Sequence, residues 1–342
     1  MKTEGMVARM GTLARFANGL VLGVLVFLAC VQVQAAPQSI LPGEVWKDSD
    51  GNVIQAHGAG LIQVGKTFYW FGEDHTGQTS DQSFQNVKCY ASRDLAHWTF
   101  RGNALSRAAS GDLGPSRVVE RPKVVYNRRT RMFVMYMHID SRNYAEAKVG
   151  VATCKQVDGV YTYQSSFAPL GHQSRDETIF QDTDGVTYLL HEDRGSGVRI
   201  ERLMPDYLSI DQQVALIPHA LEGLAVVKVD GTYFLLGSNL TGWASNANQY
   251  ATAPSMAGPW STFINVAPDT NNTYDSQTAY ILPIKGRKGI SYIYIGDRWK
   301  GSNLQDSRYL WLPLTIHDHT MLLAPDKPWM IDVGSGIISE AH

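Results

Sequence analysis

Cysteine is scarce in this chain: Cys30, Cys89 and Cys154 are the only three among 342 residues. That excludes a disulfide scaffold and a cysteine-rich metal site; Cys89 and Cys154 fit one disulfide and two buried thiols equally well. An excess of either charge is also missing, with 30 Lys and Arg against 32 Asp and Glu. Nothing in that balance attracts nucleic acid or an anionic membrane. Long apolar runs are lacking too. The longest, Leu20 to Val31, is shorter than the roughly 18–20 residues a membrane-spanning helix needs, so no transmembrane segment is expected. After residue 35 there is no convincing helical periodicity and no Pro- or Ser-rich linker, which leaves no place for a second domain.

The N-terminus reads as a targeting segment. Lys2, Arg9 and Arg15 precede the apolar run, and the small-residue site Val33-Gln-Ala35 follows it. Residues 1–35 are therefore expected to be a signal peptide and the protein to be exported, to a periplasm or the outside of the cell. Phe27-Leu-Ala-Cys30 loosely resembles a lipoprotein cleavage box, so lipid anchoring through Cys30 is the minor alternative. Removing three basic residues and Glu4 leaves 27 basic against 31 acidic residues, a net charge near −4. About 300 residues remain, enough for one large domain.

What the chain does contain is a repeat. A turn residue, then alternating aromatic and aliphatic residues, then a polar end occurs five times: Gly65 to Asp74, Thr130 to His138, Asp184 to Asp193, Asp230 to Asn239 and Lys288 to Asp297. Each copy has the chemistry of a strand entered from a tight hairpin. Another apolar strand precedes most copies, such as Gly60 to Val64 or Leu224 to Val229, and a third follows most of them, such as Lys88 to Ser92 or Lys148 to Thr153. Five repeats of a unit of three or four strands, about 50 residues long, predict an all-β fold, a five-bladed β-propeller formed by residues 36–342 as one catalytic domain. A β-sandwich also has short, evenly spaced strands, but does not repeat such a unit five times.

In a propeller the innermost strands converge on an axis, so a site is expected where each unit starts. Those positions carry His57, Glu120, Asp176, Glu222 and Gln277. Burial near the axis and a neighbouring like charge both raise a carboxyl's pKa, which suits Glu120 or Glu222 to donate a proton at neutral pH. Paired carboxyls of this kind are what glycoside hydrolysis needs. A single acid at a strand start more often caps it or pairs with an adjacent base, as Glu120 could with Arg121; five polar groups in register favour a site. Trp243 and Trp299 lie in loop-like segments and can stack on sugar faces, whereas Trp70 and Trp98 read as core.

The segments around His57, Glu120-Arg-Pro, Asn143 to Thr153, Ser174 to Gly185, Leu221-Glu-Gly223 and Tyr274-Asp-Ser-Gln277 resemble glycoside hydrolase family 43, in its branch of exo-β-1,3-galactanases, from about Pro42 to near the C-terminus. The resemblance implies inversion at β-1,3-galactan main chains, with Glu222 as general acid and Glu120 as the group that tunes it. It also implies sugar contacts by Glu73, Arg121, Tyr144, Asp176, Thr241 and Trp243. The family's usual first-blade Asp is absent: His57 or its neighbour Gly58 stands in its place, and Gln277 is expected to position or activate the water. For inversion that residue should stand roughly 6.5–9.5 Å from the acid, leaving room for a water. Arg194-Gly-Ser-Gly197 departs from the family pattern of a sugar-binding loop. No cofactor, no metal and a monomeric state are expected. Another family 43 specificity, such as an α-L-arabinofuranosidase or β-xylosidase, and a non-catalytic galactan-binding propeller are the alternatives; the missing Asp argues against the first.

Overall fold

Every copy of the repeat becomes the second strand of a β-hairpin, for reasons visible in its residues. At Asp230-Gly231 both residues adopt positive φ, 48° and 87°, the geometry that lets a two-residue turn match the twist of its strands. The aromatic and β-branched residues that follow fit a pleated, buried surface.

The computed structural model describes residues 39–268 and 271–341; the expected signal peptide lies outside them. Six antiparallel sheets account for the strands of the described residues. Five have four strands each, in simple sequence order. The first holds His57–Val64, Thr67–Glu73, Asn86–Ser92 and Thr99–Ser106, and the second Arg117–Asn127, Met132–Ser141, Lys148–Cys154 and Thr162–Phe167. The third holds Arg175–Gln181, Thr187–Asp193, Gly197–Leu203 and Ile210–Ile217. The fourth holds Glu222–Val229, Thr232–Ser238, Gln249–Ala253 and Ile264–Asn265, and the fifth Gln277–Lys285, Ile290–Arg298, Arg308–His317 and Thr320–Leu323. In the sixth, Ser39–Ile40 pairs with Trp329–Asp332, which pairs with Ile337–Glu340. This ties the start of the described chain to its end. Among the described residues helical structure is confined to single turns of three or four residues, and no helix is long and apolar enough to cross a membrane.

The first strand of each four-stranded sheet packs against the first strand of the next, and that of the fifth returns to that of the first. The apolar clusters lie between consecutive sheets. One joins Phe71 and Val87 of the first sheet to Met135 and Met137 of the second, the next joins Tyr136 to Leu189, and a third joins Leu190 and Ile200 to Leu224 and Leu235. The largest runs from Phe234 and Leu236 through Tyr294 and Trp311 back to Trp70 and Trp98. Trp70 and Trp98 are core, as their sequence context suggested. Cys89 and Cys154 are free thiols.

Candidate active site

All five first strands carry a β-bulge, at their start in four sheets and three residues further in, after Glu120, in the second. The register slips between His57 and Gly60, Glu120 and Lys123, Arg175 and Glu177, Glu222 and Ala225, and Thr278 and Tyr280. A bulge adds a residue to one strand and re-aims the side chains beside it. Gly58 and Gly223 take positive φ there, 59° and 62°, and so does Arg121 at 52°. A non-glycine residue in that region costs about 1–3 kcal/mol unless its surroundings hold it, and Arg121 is held on every side.

Across each hairpin the end of the second strand faces these residues. His57 pairs with Glu73, Glu120 with His138, Arg175 with Glu192, Glu222 with Ser238, and Gln277 with Asp297. All of these but His57, Ser238 and Asp297 line a cavity of about 210 Å³, whose wall also includes Arg121, Tyr144, Asp176, Arg194, Trp243 and Trp299. Pockets for drug-sized ligands run to roughly 300–1,000 Å³; this one suits a single sugar ring.

Arg121 is the hub. Its Nε lies 2.7 Å from Asp176 Oδ2, its Nη1 donates to the Thr278 carbonyl at 3.2 Å, its Nη2 donates to Gln277 Oε1, and its backbone N–H donates to Glu73 Oε1 at 2.9 Å. One guanidinium with its peptide thus links four of the five sheets. Asp176 Oδ2 also accepts from the Gly223 N–H at 2.9 Å, which anchors the bulge next to Glu222.

Burial, with the Asp176 charge beside it, pushes the Glu222 carboxyl up to about 8. It therefore keeps its proton at neutral pH. Glu222 Oε1 accepts from Gln277 Nε2 at 2.9 Å, and Arg194 Nη2 approaches Oε2 to 3.6 Å. Burial and Asp176 also raise Glu192, which binds Arg194 Nε at 2.6 Å. Glu73 behaves oppositely: burial would raise it, but the His75 hydrogen bond and charge and the Arg121 N–H outweigh that and hold it low. The cavity therefore contains a protonated acid and an ionised one.

The place of the missing first-strand Asp is filled. A side chain begun at Gly58 would meet Glu73 Oε1 at 2.1 Å. His57 is buried away from the cavity, with Nδ1 2.9 Å from Asp297 Oδ1 and its ring stacked on Tyr309 at 4.7 Å.

Most residues expected at the site line the cavity: Glu222, Gln277 and Glu120, with Glu73, Arg121, Tyr144, Asp176 and Trp243. Tyr144 donates to Glu120 Oε1 at 2.6 Å. Trp243, 42 % exposed, stands edge-on to Trp299 with ring centres 5.3 Å apart. Thr241 stands next to the wall residues Gly242 and Trp243, its hydroxyl donating to the Ala244 carbonyl at 2.5 Å. One expectation is corrected. Gln277 does not stand a water's width from Glu222 but binds it directly. The amide is pinned, its Oε1 accepting from Arg121 and from Trp299 Nε1 at 2.9 Å and its Nε2 also donating to Ser238 Oγ at 3.0 Å.

His138, Arg175, Glu192 and Arg194 were not expected at the site. The polar ends of the repeats carried the signal for His138 and Glu192, and the irregular loop carried it for Arg194. Glu120, His138 and Asp176 bring donor atoms within 4.8 Å of one another, close enough to hold a cation. Both nitrogens of His138, however, already face carboxylates of the protein.

A protonated carboxyl, ionised neighbours and aromatic walls around a space for one ring are the equipment of a glycoside hydrolase. The chain belongs to glycosyl hydrolases family 43, whose model matches residues 58–280. Among solved structures it is similar to the exo-β-1,3-galactanase of Phanerochaete chrysosporium with galactose, at 44% identity and a TM-score of 0.85 over 89% of this chain and 71% of that one. It is also similar to an exo-β-1,3-galactanase from Clostridium thermocellum, at 39% identity and 0.83 over 89% and 68%. No curated protein sequence matches it.

Proposed function

We propose that this protein is an inverting exo-β-1,3-galactanase that removes galactose units from the ends of β-1,3-galactan main chains. Its five four-stranded sheets are then the blades of a five-bladed propeller, a reading supported by the closed cycle of contacts between their first strands. The observation that carries the activity is Glu222, whose carboxyl is raised to about 8 inside a cavity for one sugar. A terminal galactose fills that cavity, and the rest of the chain leaves past the exposed Trp243. Glu222 protonates the departing oxygen, Glu120 tunes the site, and Asp176 and Arg121 hold hydroxyls. Gln277, whose amide stays pinned by Arg121, Trp299 and Ser238, serves the water side once Glu222 turns from it toward the sugar. The relatives' structures with galactose and with β-1,3-galactotriose support this choice of substrate.

Residues 1–35 make it an exported enzyme, and residues 36–342 act as one catalytic domain in a monomer. N-terminal sequencing of secreted protein and gel filtration check both.

The deciding experiment incubates the protein with β-1,3-galactan and follows products by NMR. Galactose should appear first as the α-anomer, and Glu222→Gln should abolish release while still binding galactan. A wild type that binds the polymer but releases no sugar would overturn the reading.

A further inference from the structure

Glu120 stands in the cavity wall with both oxygens already occupied from the protein side. Tyr144 donates to Oε1 at 2.6 Å, and His138 Nδ1 lies 3.0 Å from Oε2. On the far side of the ring, His138 Nε2 lies 3.0 Å from Asp140 Oδ2. Asp140 is fixed in turn, its Oδ1 accepting the backbone N–H groups of Ser141 and Glu146 at 2.8 Å each. His138 is 1 % exposed and Asp140 fully buried, so no solvent completes this set.

An ionised carboxylate only accepts hydrogen bonds. An imidazole with one proton would turn a nitrogen lone pair toward a carboxylate lone pair at 3.0 Å. With neither carboxyl group carrying the proton, two short contacts to two carboxylates require a proton on each ring nitrogen. We propose that His138 is a charged positioning residue, an imidazolium bridging Asp140 and Glu120 that fixes the Glu120 carboxyl group in the cavity wall.

The groups facing this ring are Glu120, Asp140, Tyr144, Asp176 and Glu177, with Arg175 Nε 4.0 Å from Asp140 Oδ2. Acids outnumber bases around it, and a cation there is compensated. Although burial lowers His138, its hydrogen bonds to Asp140 and Glu120 raise it to about 10, and Asp140 falls to about 2. The positive charge that a cation could bring to Glu120 and Asp176 is supplied by side chains: His138 on the first and Arg121 on the second. The positioning role rests on the galactanase reading; the charge state does not.

Two measurements test this. In protein labelled with ¹⁵N-histidine, the signal absent from His138→Gln should show both nitrogens protonated at pH 8; a neutral tautomer there overturns the proposal whatever the enzyme hydrolyses. In a double-mutant cycle on β-1,3-galactobiose, His138→Gln should lower kcat/KM about 10- to 100-fold, and His138→Gln with Glu120→Gln should be no slower than Glu120→Gln alone. Independent, multiplying losses would mean that His138 does not act through Glu120. If His138→Gln fails to fold, Asp140→Asn replaces it. The Asn oxygen stays on the Ser141 and Glu146 N–H groups, its NH₂ turns to Nε2, and the ring becomes neutral with the same loss of kcat/KM. Prolonged dialysis against a chelator should change neither the ¹⁵N signal nor the rate; a shift in both on adding calcium would overturn the side-chain cation.

Discussion

Gln277 Nε2 donates to Glu222 Oε1 at 2.9 Å, so the residue expected on the water side of the reaction holds the acid in the free enzyme. Its amide cannot flip, because Arg121 and Trp299 offer only donors to Oε1. Gln277→Glu would replace the donor facing Glu222 with a second carboxyl. Two carboxyls at that distance share one proton, and the like charge raises the acid further. The variant should lose about 10²–10⁴ in kcat, the usual scale of a misplaced acid or base. What activity remains should extend to higher pH than in the wild type. A kcat–pH profile checks both, and an unshifted basic limb would show that the two side chains are uncoupled during turnover.

The acid's own titration gives the next expectation. A general acid works only while protonated, and Glu222 lies near 8 through burial and Asp176, so kcat/KM should hold below about pH 8 and decline tenfold per unit above it. Arg194 opposes that rise from 3.6 Å. Arg194→Gln should therefore move the basic limb upward. The shift should stay under about one unit, because a side chain that is 49 % exposed is screened by solvent. A downward move would mean that Arg194 acts on some other group.

Much of this site was legible because the fold repeats. Turn residues and alternating apolar residues identified five hairpins, and the polar groups at their starts include Glu120, Asp176, Glu222 and Gln277, all of which line one cavity. The polar end of each repeat copy was visible too, yet its meaning depends on register: only pairing shows that His138 lies opposite Glu120 and Ser238 opposite Glu222. Two third strands, Gly197–Leu203 and Arg308–His317, were missed, the first beginning in an irregular Gly-Ser loop. The Gln277–Glu222 contact was not readable either. It arises from side-chain packing across two sheets, 55 residues apart, and the spacing that hydrolysis demands describes a complex with sugar and water in place.

Gly58 shows why the usual first-strand acid is absent. Its φ of 59° and the contact a Cβ would make with Glu73 Oε1 at 2.1 Å leave no room for a side chain. Gly58→Ala should displace Glu73 and lower both activity and stability. Gly65 separates strain from collision: its φ is 62°, but nothing lies within 4 Å of a Cβ there. Gly65→Ala should cost only the backbone strain, about 1–2 kcal/mol, and keep wild-type kcat/KM. Equal losses of activity in the two variants would show that Glu73 does not depend on the empty space at position 58.

Beneath the site, Glu177 is fully buried and neither of its carboxylate oxygens has a hydrogen-bond partner. Burial pushes it up to about 8, against the positive charges of Lys123 and His138. A carboxyl with a higher pKa folded than unfolded contributes stability that is complete below the unfolded value, about 4.3, and is lost as pH rises through the folded one. Lys123, lowered to about 8 by the same burial, contributes in the opposite sense: its share is present above its unfolded value and is lost as pH falls from about 10.4 toward 8. Glu177→Gln removes the first titration and keeps the shape. At pH 5 the variant and the wild type should melt within about 2 °C of each other, since Glu177 is already neutral. Between pH 5 and 8 the variant should gain on the wild type by up to about 1.4 kcal/mol per unit, read as a growing difference in Tm by calorimetry. Parallel curves over that range would mean that Lys123 and His138 stabilise the charged form of Glu177 enough to offset its burial.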